Sequence, residues 1–454
     1  MQIINPATEE VILNINEDNQ STLELKFNLL KKGQVSWHQT SLDQRIAILK
    51  NFSALLKENI EECASILTSE VGKPLQQSRN EVNGACNRIA WLTNNALKYL
   101  REEIMTDIEE LTEKIVYEPL GVICNISAWN YPYLVGVNVF VPALLAGNSC
   151  MYKPSEYSTL SGLQIEKLLK QAGVPDDVFQ AAIGAKEVGE QLLTMSFNGY
   201  YFTGSSKTGK YIYEKVAVKM VPCQLELGGK DPLYIADDVE DIAKTAAGTA
   251  DGAFYNNGQS CCSVERIYVH EKIYDKYVEE FVKEVKSYKI GLPTEEGTYI
   301  GALTRKAQLE FIALQIKDAT DKGALIMTGG HPVKRKGYYF EPTVLVNVNH
   351  SMSVMRDESF GPIIGIMKVK NDDEAIQLMQ DTEYGLTAGV YTATKERAEK
   401  ILSQIQTGTV YWNCCDRVSA AVPWSGRKKS GIGSTLSHAG IRAFTNTKSY
   451  HLKS

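Results

Sequence analysis

Along the first hundred residues apolar positions recur at helical spacing. Ile46, Leu49, Phe52, Leu56 and Ile60 share one face, and the stretch from Glu81 to Leu100 continues in that style. The pattern predicts helices covering the outside of a sheet. From Gly121 the texture changes to short apolar runs divided by Gly, Pro and Asn, such as Gly121 to Ile126 and Asn148 to Lys153, which predict buried parallel strands. Helix-like stretches from Ser161 to Ala172 and Glu187 to Thr194 separate such runs, so residues 120 to about 225 read as a doubly wound, nucleotide-binding α/β unit. A second alternation follows: helical Val239 to Ala253, strand-like Arg266 to Val269, helical Ile273 to Tyr288, and further pairs to about residue 412. Thr106 to Glu118 and the tail from Ala443 to Leu452 fit neither unit. Their Ser, Thr and Lys alternate with apolar residues, which predicts edge strands forming a small sheet that another subunit extends.

A chain of 454 residues exceeds what one hydrophobic core supports, so two or three packed units are expected. With 44% hydrophobic and 22% charged residues, nothing in the composition points to disorder or a fibrous repeat. A net charge of −6 and the lack of any dense Lys/Arg block argue against nucleic acid as the main partner. No apolar run reaches the ~18 residues of a membrane span, and the start has no basic segment followed by an apolar one, so a cytoplasmic location is expected. Nine scattered cysteines fit reduced thiols. C-x-x-C spacing is absent and only six His are present, so no metal site is expected.

Four stretches combine polar and small residues in ways a core does not need. In Phe254 to Arg266 a Gly-containing turn delivers Cys261 just before a strand; a thiol acts as a nucleophile only as thiolate, which calls for an accessible polar turn. Read alone, a single Cys is more often a small buried hydrophobe than a nucleophile. In Gln224 to Lys230, Glu226 sits between leucines before two glycines. It is either a half-buried general base or a strand-end carboxylate paired with Lys230. Asn130, in Trp129-Asn130-Tyr131-Pro132 after an apolar strand, is either an oxyanion donor or a turn amide. In Phe202 to Gly209 a strand turns into a helix with Ser205 near the N-cap, where backbone N–H groups hold a pyrophosphate and Gly204 allows close approach.

In this order, these stretches resemble the aldehyde dehydrogenase superfamily, and the likeness runs from Ile4-Asn5-Pro6-Ala7-Thr8 to the C-terminal Lys-Ser-Tyr. Gly258-Gln259-Ser260-Cys261 with Arg266 matches the family's nucleophile motif, which implies Cys261, not Cys262, as the catalytic thiol. The intact Glu226-Leu227-Gly-Gly-Lys230 motif implies Glu226 as the general base, and Trp129 to Pro132 implies Asn130 as the oxyanion donor. The resemblance further implies that Lys153 and Glu156 of Lys153-Pro154-Ser155-Glu156 hold the adenosine ribose. Trp129, Gly204, Ser205 and Leu227 join the cofactor set, and Glu358 and Phe360 hold the nicotinamide ribose and ring.

The implied fold is a Rossmann-type cofactor domain (1–100 and 120–228), a second α/β catalytic domain (229–430) and a small β arm (101–119 and 440–454) through which subunits form homodimers or homotetramers. The implied reaction oxidises a small-molecule aldehyde to the acid through a Cys261 thiohemiacetal and thioester. A carboxylate at Glu156 accepts bonds from a ribose 2′-hydroxyl and repels a 2′-phosphate, so NAD is expected over NADP. A cofactor-independent thiol esterase and a catalytically idle binding protein are the competing readings; the CoA-acylating branch usually lacks the Glu base that Glu226 supplies.

Cys262-Ser263 and Trp412-Asn-Cys-Cys-Asp416-Arg417-Val418 match no branch of known substrate. Tyr131, Trp424 and Val418 suggest an aromatic substrate tunnel. Asp416 would suit a cationic aldehyde and Arg417 an anionic one, unless the two pair with each other. The vicinal Cys261-Cys262 pair raises oxidative inactivation by a strained disulfide, with Cys262 otherwise expected to be a packing residue.

Overall fold

A computed structural model describes all 454 residues. The apolar runs become two parallel-strand sheets. In the first, six strands lie in the order Gly431–Ile432, Cys223–Glu226, Gly199–Thr203, Val122–Ile126, Ser149–Lys153, Phe179–Ala181. All neighbours are parallel except the short Gly431–Ile432 strand, which comes from late in the chain and pairs antiparallel with the strand ending at Glu226. The chain enters at Val122–Ile126, builds outward to one side, then crosses back to build the other. Strand order therefore reverses between Val122–Ile126 and Gly199–Thr203, and the crevice beyond the carboxyl ends at such a reversal is where this architecture binds ligands.

The second sheet has seven strands, ordered Leu325–Thr328, Thr343–Val346, Ile363–Val369, Val264–His270, Asp231–Ile235, Thr387–Tyr391, Thr409–Trp412, with only the first pair antiparallel. Asp231–Ile235 and Val264–His270 are buried along their whole lengths. Helices cover both faces of a parallel sheet, so neither face of such a strand meets water.

The first hundred residues are helical as the spacing predicts, apart from a hairpin, Gln2–Asn5 with Glu10–Asn14, that the periodicity does not reveal. The helix Leu75–Leu100 buries Val82, Ala85, Ile89, Leu92 and Ala96 on one face against the first sheet's core. The predicted strand Thr106 to Glu118 is instead two, Glu103–Ile108 and Leu111–Pro119, joined at a tight turn at the two acidic residues Glu109 and Glu110. Thr445–Lys453 completes a three-stranded antiparallel sheet with them, the small sheet expected from these two segments. Ile104, Met105, Ile108 and Leu452 of this sheet are exposed.

Candidate active site

The nucleophile turn is built by left-handed backbone. Asn256, Asn257 and Gly258 have φ of 54°, 57° and 69° in succession, which reverses the chain between the helix Ile242–Phe254 and the strand Val264–His270. At Gly258 no side chain fits, because a Cβ there would lie 2.3 Å from the Gly361 carbonyl oxygen. The asparagines tolerate this conformation and spend their amides fixing it. Asn257 donates to the Ala302 carbonyl (2.8 Å) and accepts from the Gly301 N–H (2.8 Å), while Asn256 donates to the Gln259 carbonyl (3.0 Å). Cys261 thus emerges, half-buried, at the amino end of its strand and faces the carboxyl ends of the other sheet.

There a cleft of about 1420 Å³ gathers the residues singled out in the sequence: Trp129, Asn130, Tyr131, Lys153, Glu156, Gly204, Ser205, Glu226, Leu227, Cys261, Glu358, Phe360, Val418 and Trp424 all line it. Asn130 is buried, and its side-chain amide donates to the Gln259 carbonyl at 3.0 Å, so one N–H braces the nucleophile turn and the second is left for a ligand. Pro132 opens the helix Pro132–Leu145 directly after this turn, where a missing N–H costs nothing.

Glu226 ends its strand buried, with its carboxylate accepting from the Thr435 hydroxyl. Burial raises its pKa to about 7, against the lowering effect of the Thr435 hydrogen bond and the Arg88 charge. It does not pair with Lys230. That ammonium binds Glu265 (2.6 Å) and the Ser359 hydroxyl (2.9 Å), and Glu265 in turn accepts from the Ser359 and Phe360 N–H groups. Lys230 therefore reaches past the site to hold the Glu358–Phe360 loop. Arg266 is likewise structural, donating to the carbonyls of Lys230, Leu378 and Met379.

Asp416 and Arg417 do not pair. Asp416 accepts from Cys262 Sγ (3.0 Å) and Ser260 Oγ (3.3 Å), and burial raises its pKa to about 6, while Arg417 is exposed. Cys262 is buried against Leu386, Trp424 and Leu436, a packing residue as expected. No cluster of His, Cys, Asp or Glu has the arrangement of a metal site.

On the other side of Cys261, Lys153 is buried with only the Pro154 carbonyl, at 3.3 Å, as a neutral acceptor, and burial pulls its pKa down. Glu156 lies three residues on, at the same rim. Ser205 caps the helix Ser206–Val216 through Thr208 N–H (3.3 Å), and the helix start opens on the cleft. Trp129 and Phe360 meet edge to face at 5.4 Å. A buried ammonium short of acceptors, a carboxylate beside it and a helix N-terminus together fit a dinucleotide's ribose and diphosphate.

Four contributors escaped the sequence. Thr435 arrives from 209 residues away in sequence, bridged to Trp424 backbone to backbone. Arg88 sits among ordinary helix polar positions. Lys73 and Glu81 form an ion pair with neither side chain exposed, and Lys73 also donates to the Asn130 carbonyl at 2.7 Å. Only Glu81 falling on the apolar face of its helix offered a signal.

A model of the aldehyde dehydrogenase family matches residues 1–450, and the chain belongs to that family. It is 33% identical over 457 residues to aminoaldehyde dehydrogenase 1, peroxisomal, from Pisum sativum, covering 98% of this chain and 91% of that one. Among solved structures, an NADP-dependent enzyme from E. coli superposes with a TM-score of 0.97 at 28% identity, covering 100% of this chain and 94% of the other. Indole-3-acetaldehyde dehydrogenase complexed with NAD+ gives 0.97 at 28%, covering 100% and 93%. The protein is thus an aldehyde dehydrogenase of a family that uses NAD or NADP, and no helix is long and apolar enough to cross a membrane.

Lys73→Met is expected to cost about 3–5 kcal/mol of stability, because it strands the Glu81 charge in the core. Adding Glu81→Leu should restore the melting temperature but not the turnover number, since Asn130 still lacks its ammonium anchor. Thermal melts beside steady-state rates check this; a double variant that regains both contradicts the positioning role.

Proposed function

We propose that the chain oxidises an aldehyde to a carboxylic acid through a covalent adduct on Cys261, with Asn130 and Glu226 as the two other working groups. The observation that carries this reading is the convergence of Cys261, the spare Asn130 N–H and the buried Glu226 on one cleft. The Cys261 thiolate attacks the carbonyl carbon, and Asn130, with the Cys261 backbone N–H, takes up the developing oxyanion charge, a contribution typically worth ~100 to 1000-fold in rate. A bound nicotinamide dinucleotide supplies the two-electron acceptor that brings the carbon to the acid oxidation level. Glu226 then takes a proton from the water that hydrolyses the Cys261 thioester. Thr435 keeps that carboxylate oriented, and the Trp129–Phe360 contact with the Lys230–Glu265 brace fixes the wall on which the nicotinamide would rest. An esterase of the same fold would have no use for Glu156, Glu358 and Phe360 on that wall.

The choice between acceptors rests on Glu156, which with Lys153 would hold the adenosine ribose and favour NAD. The exposed apolar residues of the arm, on a sheet with open edge strands, are read as the surface where a second copy of the chain docks. The pea relative's name places aminoaldehydes among the compounds to assay.

Glu226 acts as a base only when ionised. With burial raising its pKa to about 7, thioester hydrolysis should climb with pH to that point and fall about tenfold per unit below it. Glu226→Gln should release roughly one equivalent of NADH in a burst and then nearly stop, whereas Cys261→Ser should give no burst. Stopped-flow absorbance from pH 5 to 9 reads both. Undiminished turnover in either variant would falsify the assignment.

Glu156→Ala should lower the NAD-to-NADP ratio of kcat/KM by about tenfold or more, because it removes a repulsion as well as a hydrogen bond. An unchanged ratio counts against Glu156 as the ribose contact.

A further inference from the structure

On the helix Leu75–Leu100, Gly84, Asn87, Arg88 and Trp91 follow Asn80 by four, seven, eight and eleven residues, so the five share a face, and all five line the cleft. Arg88 is the one charged member. Its Nη1 donates to the Leu134 carbonyl (3.1 Å) and Asn138 Oδ1 (2.9 Å), both on the helix that starts from the Asn130 turn. No protein acceptor meets its Nε or Nη2, and it makes no ion pair. The cations behind the cleft wall are closed, Lys73 and Lys230 by buried carboxylates and Arg266 by carbonyls; on the wall, Lys153 stands at the cofactor end, Arg305 donates to Gln308 and lies over the Trp129 ring, and Arg417 is exposed. Arg88 lies within electrostatic reach of Glu226, Cys262 and Cys261, and burial holds its pKa below the usual arginine range. A half-desolvated guanidinium with two nitrogens and three N–H donors open, within electrostatic reach of the reacting thiol, lacks an anion.

The cleft's acids are placed the other way. Asp416 is bound by Ser260 and Cys262, Asp251 by the Tyr299 hydroxyl, Glu358 by the Gly229 N–H, Glu156 by the Ser155 hydroxyl and Glu190 by the Tyr211 hydroxyl, while Glu226, held by Thr435, is the group assigned to the hydrolytic water. A cationic aldehyde would find these carboxylates engaged and Arg88 repelling it. Building on the Cys261 chemistry above, we propose that Arg88 determines specificity and that the substrates are short aldehydes carrying a terminal carboxylate, which the open Nε and Nη2 fork binds while the carbonyl faces Cys261. The planar fork matches a carboxylate in two parallel hydrogen bonds, and Tyr131, Leu134 and Trp91 supply the apolar wall for the intervening methylenes. The same charge also acts on Glu226, so a role confined to the reacting groups must be told apart from substrate recognition.

The test compares kcat/KM for succinic semialdehyde, butanal and γ-aminobutyraldehyde in the intact enzyme, Arg88→Gln and Arg88→Lys. The intact enzyme should favour the semialdehyde over butanal by about 10- to 100-fold, the size of a charged hydrogen-bond pair. Arg88→Gln should erase that preference, read as the semialdehyde-to-butanal ratio of kcat/KM so that any loss common to both through Glu226 cancels, and Arg88→Lys should restore part of it. Equal losses on all three aldehydes in Arg88→Gln, or an intact enzyme that prefers butanal or the amine, overturns the proposal. No NADH from any aldehyde would instead sink the underlying dehydrogenase reading. Should Arg88→Gln not fold, alkylation of Cys261 by iodoacetamide in the intact enzyme decides: succinate should slow it and succinamide should not, and equal protection by both is the contrary result.

Discussion

Everything in the site depends on how the chain is turned between Phe254 and Val264. Three successive residues in the left-handed region bring Cys261 to the amino end of a strand in one sheet, opposite the carboxyl ends of strands in the other. Such a turn is costly for Asn256 and Asn257, and it persists because their amides are tied to the Gln259, Ala302 and Gly301 backbone. The thiol's position is thereby set by backbone geometry and buried amides. Its own side-chain contacts matter less.

The buried electrostatics divide into two kinds. Lys73 with Glu81 and Lys230 with Glu265 are closed pairs, and each braces a loop: the Asn130 turn in the first case, the Glu358–Phe360 loop in the second. Glu226 and Arg88 are open, a carboxylate with one hydroxyl donor and a guanidinium whose Nε and Nη2 are unused. Closed pairs fix geometry, and open groups are available to water and substrate. The fold keeps this division by putting the closed pairs behind the cleft wall and the open groups on it.

Much of this was legible in the chain. The switch from helical spacing to short apolar runs at Gly121 marks where the first sheet begins, and the polar clusters around Asn130, Ser205, Glu226 and Cys261 all reach one cleft. What local pattern leaves hidden is pairing at a distance. Glu226 and Lys230 are neighbours that invite an ion pair, yet the strand ends at Glu226 and the irregular Leu227–Lys230 stretch carries the ammonium away to Glu265 and Ser359. Asp416 and Arg417 lie in a loop and also part, with one side chain turned inward to Ser260 and Cys262 and the other to water. Thr435, Lys73 and Arg88 carry no motif, because their roles arise only where separate helices and hairpins meet. The hairpin at Gln2–Asn14 was missed because its second strand, Glu10–Asn14, is exposed along its whole length and has no buried face to leave a pattern.

The central claim is that one particular sulfur carries the acyl group. Peptide mapping by fragmentation mass spectrometry, on the Glu226→Gln protein quenched in acid seconds after mixing with an aldehyde and NAD, reads this directly. The expected product is a single acyl mass on Cys261 with Cys262 unmodified. Acyl mass on Cys262, or NADH released with no acylated cysteine at all, would contradict the account.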